Sequence, residues 1–119
     1  MKINKKISIF IKNIKESIRL IKGRNIKILD TREKNNNLFN FIIICEGKSK
    51  IHIKIIYNKI ILSINKHFNI SPNNIEGVNN CQWVIIDYNT IIINIFLKKI
   101  RYYYEIDKLW KKYPKLKLN

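Results

Sequence analysis

The sequence contains no alanine, and its 119 residues include only three glycines, two prolines and two cysteines. Acids are scarce as well. Eight Asp and Glu stand against 24 Lys and Arg, giving a net charge of +16. Each shortage excludes something. Cys45 and Cys81, 36 positions apart, make neither a disulfide scaffold nor a paired-cysteine zinc site. No phosphate loop and no dinucleotide fingerprint occur among so few glycines. Lysines interrupt every apolar run, so no window approaches the roughly 20 apolar residues that span a bilayer. The basic start at residues 1–6 leads only into a short apolar stretch at 7–11 with no small-residue cleavage site, which is not a secretory leader. The chain reads as soluble and cytoplasmic, without a membrane partner.

What is present is strongly biased. The chain has 29 Ile, 20 Lys and 17 Asn. At 46% hydrophobic it is too apolar for a disordered polyelectrolyte. The length suits one compact domain. The basicity suggests an anionic partner such as nucleic acid. Yet Lys outnumbers Arg by 20 to 4, and Ile, Lys and Asn have the most AT-rich codons. Codon bias accounts for much of the charge. Function is therefore sought in residues that the bias does not explain.

Ile7, Phe10, Ile11, Ile14, Ile18 and Ile21 recur at helical spacing, with Gly23 as a stop. Residues 25–30 read as a strand, 31–37 as a loop and 38–45 as an interior strand. Ser49 suits the N-cap of a second helix that runs to about His67. Residues 75–78 suit an edge strand. Residues 82–88 and 90–96 read as a hairpin turning at Asn89. Residues 97–112 read as a third helix, and 113–119 as a basic, frayed tail. The expected fold is α/β: a mixed five-stranded sheet with three main helices, packed mainly on one face. Residues 1–112 form the single domain.

Few residues suggest chemistry. Asp30 and Asp87 each end a strand and are best read as turn formers. His52 and His67 have no metal-ligand spacing. The turn Gly47-Lys48-Ser49 suits capping better than catalysis. No catalytic, metal or cofactor site is expected. On the third helix, an arc of Tyr102, Tyr103, Ile106, Leu109 and Trp110 is assigned to the core. Arg101, Tyr104, Glu105 and Lys108 are assigned to solvent, with an Arg101–Glu105 pair. In the hairpin, a loop at 88–89 pairs Asp87 with Thr90, Ile85 with Ile92 and Trp83 with Asn94. That face is mixed, and Trp83 on it is either a candidate hot spot or a Trp buried at the domain edge. Val84, Ile86, Ile91 and Ile93 form an aliphatic face.

These residues resemble a known pattern. Residues 75–77 (Ile-Glu-Gly), 82–87 (Gln-Trp-Val-Ile-Ile-Asp), 91–93 (Ile-Ile-Ile) and 101–110 (Arg-x-x-Tyr-Glu-Ile-Asp-Lys-Leu-Trp) resemble the ribosomal silencing factor, or Iojap-like, family. The strand ending Glu46-Gly47-Lys48-Ser49, followed by His52, resembles its Gly-x-Ser-x-x-His turn. Asp30 matches the Asp that ends its first strand. The likeness spans residues 7–110.

The resemblance implies a nucleotidyltransferase-like fold without catalytic residues. It implies binding to the large ribosomal subunit through its ribosomal protein number fourteen, which sterically blocks small-subunit joining and represses translation. Trp83, Asp87, Arg101, Tyr104, Glu105 and Asp107 would form or support the partner surface. Lysines would touch ribosomal RNA, and a homodimer of the free protein is compatible with the pattern. Three departures stand out: Asn94 where His is usual, Asn40 where Asp is common, and +16 where members are often acidic. The alternative is a nonspecific basic RNA-binding protein.

Overall fold

The structure is a computed structural model that describes residues 4–32 and 40–116. Helix α1, Lys5–Leu20, starts where the Asn4 side chain accepts the Lys6 amide at 2.7 Å. It buries Phe10, Ile11, Ile14, Ser17 and Ile18 as one stripe. It stops through two reverse bonds, Lys22 N–H to Arg19 O and Gly23 N–H to Ile18 O, the Schellman arrangement. The left-handed residue is Lys22, with φ 64°, not Gly23. Gly23 serves close packing instead, because a Cβ there would lie 2.3 Å from Ile18 Cγ2.

Strand β1, Arg24–Asp30, runs antiparallel to β2, Phe41–Gly47. Helix α2, Lys50–Phe68, follows. Strand β3, Asn74–Glu76, leads to β4, Trp83–Asp87, and β5, Ile91–Leu97. The sheet order is β1-β2-β5-β4-β3, with β2 and β5 parallel in its centre. β2 is buried at all seven positions, as a near-continuous apolar run requires. The mixed five-stranded α/β sheet is therefore as expected from the sequence.

α2 is rich in β-branched isoleucine, a mediocre helix former. Burial of Ile53, Ile56, Ile60 and Ile64 against the sheet outweighs that preference. The Ser49 hydroxyl caps its start by accepting the His52 amide at 3.1 Å. Ser49→Ala should cost about 1 kcal/mol of stability, read as a lowered urea midpoint with an unchanged slope.

The third helix is not continuous. It divides into α3, Lys98–Tyr103, and α4, Ile106–Leu109, at Glu105, which is left-handed with φ 50°. The reason is geometric. Arg101 and Ile106 are both buried, yet five residues along a straight helix place them about 140° apart. The break turns both inward.

This corrects the helical-phase assignment. Tyr102, Tyr103 and Leu109 are 84%, 76% and 63% exposed, whereas Arg101 is 5% exposed. Ile106 is core, and Trp110 packs partly against it. No Arg101–Glu105 pair forms among the described residues, since Arg101 instead pairs with Glu46 and Asp107.

Helices also cover both sheet faces, rather than mainly one. α1 and α2 pack over Ile43, Cys45, Val84, Ile86, Ile93 and Ile95. The C-terminal segment packs over Leu29, Ile42, Ile44 and Phe96. The hairpin register is two residues away from that expected: Asp87 pairs with Ile92, Ile85 with Asn94 and Trp83 with Phe96. The loop is 89–90, with Tyr88 N–H donating to Ile91 O. A shift of two preserves side-chain direction, so both face assignments stand.

Residues 114–116, read from sequence as frayed, lie along β1. Asp30 N–H donates to Pro114 O and Leu116 N–H to Ile28 O. Residues 33–39, including the expected strand start at Leu38 and the acid Glu33, lie outside the described residues, as do 117–119.

Candidate functional site

The mixed face of β4 and β5 carries Trp83, Ile85 and Asp87 beside Ile92, Asn94 and Phe96. The Trp83 indole N–H donates to Asn94 Oδ1 at 3.0 Å. Its ring lies 4.8 Å from that of Phe96 and 6.3 Å from that of Tyr104. Tyr103 meets Tyr104 edge-on at 4.9 Å. The result is an aromatic platform: Phe96 buried beneath, Trp83 half-buried, Tyr104 56% exposed. Asn94 is itself buried, so the indole satisfies its carbonyl, and Asn94 orients the indole in return.

Arg101 braces the C-terminal segment that carries Tyr104. Its Nε and Nη2 donate to the two Asp107 oxygens at 2.9 Å each. Its Nη1 donates to Glu46 Oε2 at 3.0 Å and to Asn25 O at 2.8 Å. One guanidinium thus ties β1, β2 and α4 to α3. Lys27 Nζ adds a second cation on Asp107, and Asn25 Nδ2 donates to the other Glu46 oxygen at 3.1 Å. The hydrogen bond from Arg101, assisted by Lys27, holds the Asp107 carboxyl well below the usual carboxylate range.

The six sequence-predicted residues therefore separate. Trp83 and Tyr104 meet. Glu105 is exposed next to them at the helix break. Asp87 lies at the far end of β4, where it accepts the Asn89 amide at 2.6 Å. Arg101 and Asp107 form an internal brace instead of a free surface. Asp30 accepts from Arg32, and that bond lowers its pKa. Asp30 and Asp87 sit on opposite sheet faces with β2 and β5 between them, so they do not converge.

Sequence reasoning missed Glu46, Asn25 and Lys27. The signal for Glu46 was available: a lone acid follows a wholly apolar strand, and a buried acid requires a cationic partner. The Gly-x-Ser-x-x-His turn is structural. His52 Nδ1 accepts the Lys48 amide at 2.8 Å and Nε2 donates to Ile21 O at 2.7 Å, clamping the turn to the end of α1. Among the described residues no three His, Cys, Asp or Glu side chains gather as a metal site. Cys45 is deep in the core, where burial pushes its thiol up to about 12, which makes it a poor nucleophile at neutral pH. Among the described residues no helix is long and apolar enough to cross a membrane.

Comparison with known proteins places the chain among relatives of one family. Residues 4–119 match the family model described as "ribosomal silencing factor during starvation". A curated relative named ribosomal silencing factor RsfS, from Chromobacterium violaceum, is 30% identical over 95 residues, covering 80% of this chain and 76% of that protein. Another of that name, from Halalkalibacterium halodurans, is 29% identical over 79 residues, covering 66% and 67%. A crystal structure of a protein from Chromobacterium violaceum superposes with a TM-score of 0.82 at 28% identity, covering 88% of this chain and 86% of that one.

Proposed function

The chain belongs to the ribosomal silencing factor family, and on that premise we propose that it binds the large ribosomal subunit through its ribosomal protein number fourteen. Bound there, it blocks small-subunit joining by occupying space and so represses translation in the cytoplasm, with no turnover. The observation that supports this most is the Trp83–Tyr104 platform with the exposed Glu105 beside it. In a chain with eight acids against 24 basic residues, one that forms no ion pair with the described residues adjoins an exposed aromatic, while Asp107 supports it from the Arg101 brace. That combination suits a basic protein partner, with the aromatic supplying contact area and Glu105 supplying orientation. Arg101 acts here as support, by fixing α4 against the sheet. Asp87 contributes at the margin of the same face, and exposed lysines contact ribosomal RNA. A homodimer of the free protein, if it formed through this platform, would have to vacate it before binding.

Co-sedimentation with isolated subunits tests the reading. The chain should pellet with large subunits and not with small ones. The alternative, a nonspecific basic RNA binder, predicts equal binding to both, and that outcome would sink the anti-association reading. Tyr104→Ala should weaken large-subunit binding by about 2 kcal/mol with little change in melting temperature, because the ring is mostly exposed. Trp83→Ala should lower both, because it also leaves the buried Asn94 carbonyl without its donor.

A further inference from the structure

β2 and β5 are adjacent and parallel, and their last residues, Gly47 and Leu97, are register partners. The chain leaves them in opposite directions. After β2 it enters α2 on one sheet face, and after β5 it enters α3 on the other. Two parallel strands whose connections diverge open a crevice beyond their carboxyl ends, a recurrent place for ligands in α/β sheets. Here the crevice is a shallow groove of about 670 Å³ lined by Lys48, Ser49, Lys50, Leu97, Lys98, Lys99 and Tyr102.

Four lining residues are exposed lysines and none is acidic. Ion pairs elsewhere join Arg19 to Glu16, Lys27 to Asp107, Arg32 to Asp30, and Arg101 to Glu46 and Asp107. Exposed lysines on other faces also lack an ion pair with the described residues, so what sets this groove apart is that four of them line one crevice. These four lysines form no ion pair with the described residues. Glu46, the nearest acid in sequence, is turned away into the Arg101 brace. The charge comes from side chains and not from the helix end, which Ser49 already caps. Tyr102 stands at the groove with its ring in solvent.

We propose that this crevice binds an RNA strand, with Lys48, Lys50, Lys98 and Lys99 on its phosphodiester backbone and Tyr102 stacking on a base. The fit is to a polymer. The groove is open, the charges are flexible lysine stems and not a converging guanidinium cage, and an exposed aromatic beside lysines is the usual platform for unpaired bases. This rests on the ribosome-binding reading, to which it adds a second contact, distinct from the Trp83–Tyr104 platform.

The test compares two full-length variants that each remove four charges, from +16. One carries Lys48→Gln, Lys50→Gln, Lys98→Gln and Lys99→Gln. The other carries Lys5→Gln, Lys12→Gln, Lys59→Gln and Lys66→Gln at exposed helical positions. Binding to a short labelled single-stranded RNA is followed by anisotropy across a salt series. The slope of log affinity against log salt should fall by about 3 in the first variant, at about 0.7 per phosphate contact, and little in the second. Tyr102→Leu should weaken binding about tenfold without altering the slope. Equal losses in both lysine variants overturn the proposal, as does a wild-type chain that ignores RNA while still pelleting with large subunits. RNA binding that depends on the groove, in a chain that does not pellet with large subunits, supports the crevice and overturns the anti-association reading.

Discussion

Arg101→Ala should lower the stability of the protein by about 3–5 kcal/mol, the largest loss expected of any single charge removal. The substitution strands Glu46, a buried carboxylate whose remaining side-chain donor is the neutral Asn25 amide. It also frees Asp107 from its two-bond grip. Urea denaturation at neutral pH measures the loss. Glu46→Leu in an Arg101→Met background should recover part of it, because no charge is then stranded.

The pH dependence has a definite sign. Asp107 has a depressed folded pKa, so its contribution is present above the unfolded value near 3.9 and fades as pH falls toward the folded one. The gap between wild type and Arg101→Ala should therefore narrow below about pH 4. Asp107 is partly exposed, so solvent screening keeps its own share of the loss modest. A gap that widens on acidification would contradict the brace.

Gly77→Ala should be nearly as damaging, by at least about 2–3 kcal/mol, and it should damage function as well. Gly77 has φ 85°, a conformation that penalises any side chain. A Cβ there would lie 2.0 Å from the Trp83 carbonyl oxygen, which is backbone and cannot rotate aside. Relief requires moving the start of β4, and Trp83 moves with it. Large-subunit binding should thus weaken beyond what the melting temperature explains at a temperature where the variant is still folded. A variant that melts early but binds normally when folded would show that the platform does not depend on this turn.

The sheet was largely legible from sequence because its strands are short β-branched runs separated by polar loops. The hairpin faces were legible even though the loop was placed one residue early, since a register error of two leaves every side chain on its own face. The C-terminal segment was not legible. No glycine or proline marks Glu105, and periodicity counted through the break put Arg101 in solvent and Tyr102 in the core. Only tertiary contacts, Ile106 beneath the sheet and Asp107 on Arg101, make the left-handed Glu105 worthwhile. The functional motif was recognisable at Arg101, but its role depended on Glu46, 55 positions earlier in the chain. Local spacing carries no information about such a pair.

The strand-like seating of residues 114–116 along β1 bears on self-association. An open sheet invites a second copy to extend its ladder. Here one margin is already occupied by the chain's own C-terminal segment, and the other is β3, only three residues long. Among the described residues two copies would find little unpaired strand backbone to share, which argues against growth into fibrils by strand addition. Association of this chain with itself would then fall to side-chain faces, and if it used the Trp83–Tyr104 platform it would compete with the partner proposed for that surface.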